Sequence, residues 1–178
     1  MTRAMRGDRS AFAVVVKTHE LRLFRFASRM VGDREAARDI VQDALIRLWQ
    51  SRDSYTPQDA VSAYLLRIVR NACIDFVRAN RKFDHVRIDD DAPTMSPSCE
   101  ENVMAGALRD ALERALLNLP ESQRAVFVLS EHEGMTYQEV AEALGCPHGT
   151  VASRKYAAVA ALRKELRPWL EEDVNDRM

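Results

Sequence analysis

TYQEVAEALGCPHGTVASRKYAAVAALR, residues Thr136 to Arg163, reads as two helices joined by a tight turn. Thr136 and Glu139 have capping-box spacing, in which the threonine oxygen and the glutamate carboxylate each accept an otherwise orphan backbone N–H. Val140, Ala141 and Leu144 follow on one apolar face. Gly145 stands where a helix closing on a left-handed residue needs it, and Pro147 cannot continue a helix interior. Gly-Cys-Pro-His-Gly is therefore a short, stiff connector, and a second helix is expected from near Thr150. There Val151, Ala158, Leu162 and Leu166 recur at helical spacing, while Ser153, Arg154, Lys155 and Tyr156 carry groups able to contact nucleic acid. Two helices about a Gly-containing turn make the helix-turn-helix pattern, whose second helix enters the major groove. The competing structure is an αα-hairpin buried in a core. The short polar end of the second helix, rich in hydroxyls and bases, favours DNA.

Composition narrows what surrounds this module. The chain has 178 residues, enough for one sizeable domain or two small ones, and only six glycines and six prolines, which favours helix over sheet. A net charge of −1 argues against indiscriminate coating of nucleic acid, so any DNA contact must come from local charge. No apolar run approaches the roughly 20 residues needed to span a bilayer. The start, MTRAMRGDRSAF, lacks the apolar core of a signal peptide, so a cytoplasmic protein without membrane insertion is expected. Cys73, Cys99 and Cys146 are odd in number and far apart, and His132 and His148 are isolated. Neither a disulfide framework, a metal site, a cofactor, a catalytic set nor a small-molecule substrate is indicated.

The fold class expected is all-α. Phe12, Val15, Val16, His19, Leu23, Phe26, Ala27 and Met30 repeat at helical spacing through a first helix over residues 9–30, with His19 read as a packed histidine. Gly32 ends it and Asp33 caps the next, where Ala37, Ile40, Val41, Ala44, Leu45, Leu48 and Trp49 share a face. Arg38, Asp39, Gln42, Asp43 and Arg47 occupy the opposite face, which is either solvated or a docking surface. SRDSYTPQD (residues 51–59) marks a loop. A third helix over residues 60–81 carries Leu65, Ile68, Val69, Ala72, Cys73 and Phe76 on its apolar stripe. Arg67, Arg70, Asn71, Arg78, Arg81 and Lys82 lie mostly opposite. Between Arg67 and Arg87 six basic residues face two acidic ones, a local charge of +4. With Tyr64 and Phe83 nearby, such a face suits phosphates and splayed-out bases.

Residues 88–101, IDDDAPTMSPSCEE, hold five acidic residues and two prolines, a composition that predicts a flexible linker between two helical units. Beyond it Leu108, Leu112, Ala115, Leu116 and Leu119 make another amphipathic helix. Pro120 suits the first turn of the next helix, which packs Val126, Phe127 and Leu129 inward. The architecture expected is thus an N-terminal three-helix bundle and a C-terminal four-helix domain with the helix-turn-helix, joined by a flexible linker.

Taken in order, DREAARDIVQDALIRLW (33–49), AYLLRIVRNACIDFVRANRK (63–82) and LPESQRAVFVLSEHEGMTYQEVAEALGCPHGTVASR (119–154) resemble the bacterial extracytoplasmic-function sigma factors, a two-domain group of the sigma-70 family. RNACIDFVR and GTVASR together are specific, and the resemblance covers nearly the whole chain. It implies that residues 1–85 are region 2, residues 86–104 a linker and residues 105–172 region 4. It implies core RNA polymerase, promoter DNA and an anti-sigma factor as partners, and no catalytic residues. Asp39, Gln42, Asp43, Arg47 and Trp49 would dock on the polymerase. Arg67, Arg70, Asn71, Asp75, Arg78 and Arg81 would read and melt the −10 element. Thr150, Ser153, Arg154, Lys155 and Tyr156 would read the −35 duplex.

The chain departs from the family pattern at Lys155, where an aliphatic residue is usual. It departs again at Ala152, Ala157 and Val159, where basic residues are frequent, and Tyr64 replaces a common tryptophan. Fewer phosphate contacts predict weaker −35 binding with a shallower salt dependence. The alternative function is a stand-alone helix-turn-helix transcriptional regulator that binds its operator without polymerase.

Overall fold

A computed structural model of the chain describes residues 2–50, 52, 61–84 and 103–169, with the side chains of 2, 81–84 and 103–105 left aside. Of the expected linker, residues 86–102 lie outside the described residues, and Val103 and Met104 already belong to the helix that follows. No strand occurs among those described. A short α1 (Thr2–Met5) precedes α2 (Arg9–Val31), α3 (Arg34–Gln50) and α4 (Val61–Asp84). Then come α5 (Val103–Asn118), α6 (Glu121–Phe127), α7 (Tyr137–Leu144) and α8 (His148–Glu165). A π-helical turn, Val128–His132, continues α6.

Local chemistry sets these boundaries. Asp8 caps α2, its carboxylate accepting from the Ala11 N–H at 3.0 Å. Hydrogen bonding from Ser10 and Ala11, with Arg3 beside it, holds that carboxyl down at about 2. Gly32 closes α2 at φ 78°, and a Cβ there would lie 2.6 Å from a Leu117 methyl of α5. Glycine is therefore required at 32 both by backbone conformation and by the close approach of α5. Asp33 caps α3 by accepting from Glu35 N–H at 2.8 Å and Ala36 N–H at 3.1 Å. Pro120 stands one position outside α6 as its N-cap, not in its first turn, with ψ 139°. The third helix runs to Asp84, three residues beyond the expected end.

Leu23, Phe26 and Met30 of α2, Leu48 of α3, and Leu65, Leu66 and Val69 of α4 are fully buried together. Each such side chain contributes about 1.5–3 kcal/mol on leaving water, and their shared burial holds the three helices together. The same core continues through Ala125, Val126, Val128 and Leu129 into Val140, Ala143 and Leu144 of α7. A smaller cluster of Ala115, Leu116, Leu119, Ala158 and Leu162 joins α5 to α8. Phe127, expected inside, is only half-buried. The two halves of the chain thus share one apolar core, with α7 packed on α4.

Candidate protein and nucleic-acid interfaces

Three surfaces carry the residues singled out from sequence. The first is a groove of about 820 Å³ between α2 and α3. Phe12, Phe24, Leu45 and Trp49 line its apolar part, and Arg38 and Gln42 its polar edge. Trp49 stacks on Phe12 with ring centroids 4.8 Å apart, and the Arg52 guanidinium stands 4.9 Å from the indole. Arg52 also donates to the Trp49 carbonyl at 2.9 Å, which fixes the end of α3 against the groove. Of the sequence-selected residues, Gln42 and Trp49 line the groove, while Asp39, Asp43 and Arg47 are exposed on α3. Leu21 at 59% exposure and Ile46 at 44% also line it and were not singled out, since an isolated apolar residue on a polar face carries no sequence signal. Together they leave apolar surface exposed along the groove.

The second surface is α4. Asn71, Asp75 and Arg78 are exposed, while Arg67 and Arg70 are half-buried. The Arg67 guanidinium stacks 5.4 Å from the Tyr64 ring centroid, and Arg70 donates to the Asn71 side-chain oxygen at 3.2 Å. Burial first, and then Arg154 of α8, push the Arg70 pKa down. Arg81 continues the helix, its side chain outside what is described.

The third surface is the helix-turn-helix. Thr136 and Glu139 complete a capping box, the Glu139 carboxylate accepting from Thr136 N–H at 2.8 Å. Those hydrogen bonds keep the Glu139 carboxyl below its ordinary value. Gly145 ends α7 at φ 62°, and Pro147 is the N-cap of α8. The second helix therefore starts at His148, two residues before Thr150, because Pro147 needs only a position outside the helix interior. Ser153 is exposed and Tyr156 is 80% exposed, with Thr150 and Arg154 half-buried. Ser153 donates its hydroxyl to the Thr150 carbonyl at 3.1 Å. Lys155 is turned elsewhere. Its ammonium lies 2.5 Å from a Glu131 carboxylate oxygen and 5.1 Å from the Tyr137 ring.

Sequence reasoning missed what joins these surfaces. Arg124, 2% exposed, donates to the carbonyls of Met30, Leu117 and Leu119, the last at 3.0 Å. Arg22 of α2 pairs with Glu133 at 3.1 Å. Arg124 and Met30 lie 94 residues apart and Arg22 and Glu133 111 apart, so no local pattern announces either contact. Among the described residues no group of three or more His, Cys, Asp or Glu is placed to hold a metal. No described helix is long and apolar enough to cross a membrane.

Comparison with known proteins finds matches along both halves of the chain. A family model for sigma-70 region 2 matches residues 15–83, and one for sigma-70 region 4 matches residues 109–162. The chain is 31% identical to the ECF RNA polymerase sigma factor SigW of Bacillus subtilis over 91% of its own length and 92% of the relative's. It is 30% identical to the RNA polymerase sigma-H factor of Pseudomonas aeruginosa over 96% and 93%. Its fold resembles that of CnrH solved with the cytosolic domain of CnrY, at TM-score 0.71 and 26% identity over 93% of this chain and 94% of that one. It also resembles the sigma factor RpoE of Bartonella quintana, solved with the anti-sigma factor NepR, at TM-score 0.69 and 25% identity over 88% and 97%.

Proposed function

The chain belongs to the sigma-70 family, in its extracytoplasmic-function group, and on that premise we propose which of its surfaces carry each step of initiation. It is an RNA polymerase sigma factor, which binds core polymerase and directs promoter-specific transcription initiation. The observation that carries the reading is the order of two elements in one chain. All but the last residue of a basic helix, α4, lies in the region 2 match, and all but the last three residues of a helix-turn-helix, α7–α8, lie in the region 4 match.

In this reading residues 1–85 serve as region 2, 86–104 as the linker and 105–172 as region 4. The groove between α2 and α3 docks on polymerase through Asp39, Gln42, Asp43, Arg47 and Trp49. Its exposed Leu21 and Ile46 give a protein partner apolar area to cover, which supports that use. Arg67, Arg70, Asn71, Asp75, Arg78 and Arg81 take the −10 element. Melting needs extruded bases held beside a neutralised backbone, and a basic helix carrying a stacked Tyr64 and an amide suits both demands. Thr150, Ser153, Arg154 and Tyr156 read the −35 duplex in the major groove. The protein acts by binding, in the cytoplasm, and has no catalytic step of its own. Because RpoE is solved with an anti-sigma factor, a protein inhibitor covering these surfaces is expected here too.

Run-off transcription with core polymerase across a genomic library tests the function. Promoter-specific initiation is expected, and its absence overturns the reading. Asn71→Ala and Arg78→Ala should impair open-complex formation while leaving polymerase binding intact. Tight operator binding by the protein alone would point instead to a stand-alone regulator.

A further inference from the structure

Lys155 sits in the middle of Ser153-Arg154-Lys155-Tyr156, the polar run of the recognition helix, and by charge alone reads as a phosphate contact. Helical geometry argues otherwise. At about 100° per residue, Val151, Ala158 and Leu162 fall within roughly 60° of Lys155, whereas Ser153 falls roughly 160° away. Those three are the buried residues of α8. Lys155 therefore belongs to the stripe that faces the domain, and its side chain is only 20% exposed.

A long amphipathic side chain can occupy such a position if its charged head finds a partner at the edge. Glu131, in the π-helical turn after α6, supplies one at 2.5 Å. Tyr137, the first residue of α7, lies beneath the ammonium at 5.1 Å and stacks in turn on His148, the first residue of α8, at 5.7 Å. Three elements thus converge on one ammonium. The start of α8 needs such a fixture, because its N-cap is Pro147 and no side chain caps it.

We propose that Lys155 is a positioning residue for −35 recognition, paired with Glu131 and seated on Tyr137, so that Ser153, Arg154 and Tyr156 are held toward the groove. It sets the rotation of the recognition helix and neutralises a half-exposed carboxylate that would otherwise repel DNA phosphates. Burial of its stem, not a phosphate, explains why a lysine stands on the apolar stripe. The proposal rests on the assignment of α8 to −35 reading, and its test separates the two.

Holoenzyme is reconstituted with Lys155→Met, Glu131→Gln and the double variant, and promoter affinity is measured across a salt series. Each single variant should weaken a promoter carrying a −35 element by about 5–10-fold. The double should be no weaker than the worse single, because one interaction is removed once. The slope of log affinity against log salt should stay unchanged. A slope reduced by about one in Lys155→Met alone would mean a phosphate contact and would overturn the proposal. Unchanged affinity in both single variants overturns it equally. The ion pair is read without DNA from the Lys155 ammonium signal in ¹H–¹⁵N spectra. It should be protected from exchange in the parent protein and lost to exchange in Glu131→Gln, and its absence in the parent also sinks the idea. Failure of the parent holoenzyme to initiate anywhere would refute the −35 assignment and leave this pairing measurement standing.

Discussion

Arg124 of α6 donates a hydrogen bond to the backbone carbonyl of Met30, which lies 94 residues earlier at the end of α2. The last carbonyls of a helix have no intrahelical partner, and the helix dipole makes that end negative. The other Arg124 nitrogen donates to Leu117 and Leu119, at the end of α5. A single buried guanidinium therefore caps two helix C-termini, one from each half of the chain. Arginine suits this because its fork donates in several fixed directions at once.

Arg124→Met should cost about 2–4 kcal/mol, because buried carbonyls lose their donors, and should lower the midpoint of thermal unfolding by roughly 5–15 °C. Circular dichroism melts measure it. Arg124→Lys should recover little, since an ammonium cannot reach both helix ends in the same geometry. Full recovery by lysine would refute the two-ended cap.

The Arg22–Glu133 pair bridges the halves on their flank, with Glu133 side chain only 9% exposed. Arg22→Glu places like charges together there, so the closed arrangement should loosen and the radius of gyration from small-angle X-ray scattering should rise. Combining it with Glu133→Arg should restore the parent value. The pair is worth about 1 kcal/mol, so identical scattering from all three proteins would show that it does not hold the halves.

Cys73 lies inside the shared core, where burial pushes its thiol up to about 12. A thiol so high carries almost no thiolate at neutral pH and should resist alkylation while the protein is folded. Half-buried Cys146 should react before Cys73. Mass spectrometry after brief iodoacetamide treatment checks the order, and early modification of Cys73 would contradict its burial.

Burial is the main cause that lowers the pKa of His19 and of His132, with Arg22 and Arg29 respectively adding to it. Folded values below the ordinary one near 6.5 mean that the unfolded chain takes up protons first as pH falls. Their stability contribution is complete above about pH 7 and is lost as pH drops through 6.5 toward the folded values. Asp8 acts in a lower window, its contribution present above 3.8 and lost toward about 2. Urea melts between pH 7.5 and 5 should show declining stability, and His19→Asn with His132→Asn should flatten the decline.

The helices were legible because each carries its own signals. The capping box at Thr136, the left-handed Gly32 and Gly145, and the apolar stripes of α2, α3 and α4 all depend on residues at most a few turns apart. Grouping Lys155 with the nucleic-acid contacts has a related cause. Its neighbours in sequence are polar, while its neighbours on the helix face, Val151, Ala158 and Leu162, are buried. The spacing contained that answer, and the partner Glu131 did not announce itself.

By itself, the sequence determined the long helices, the caps at Gly32, Asp33, Thr136 and Gly145, the helix-turn-helix and the membership of the sigma-70 family, because period, turn chemistry and motif are local quantities. Only the tertiary structure decided that α4 and α7 share one core, that Arg124 closes two helices at once, and that Lys155 faces Glu131. These depend on where separate helices meet in space, and no local pattern encodes that distance. Burial makes the difference physical: a carbonyl or an ammonium is indifferent to its partners in water and exacting about them in a core.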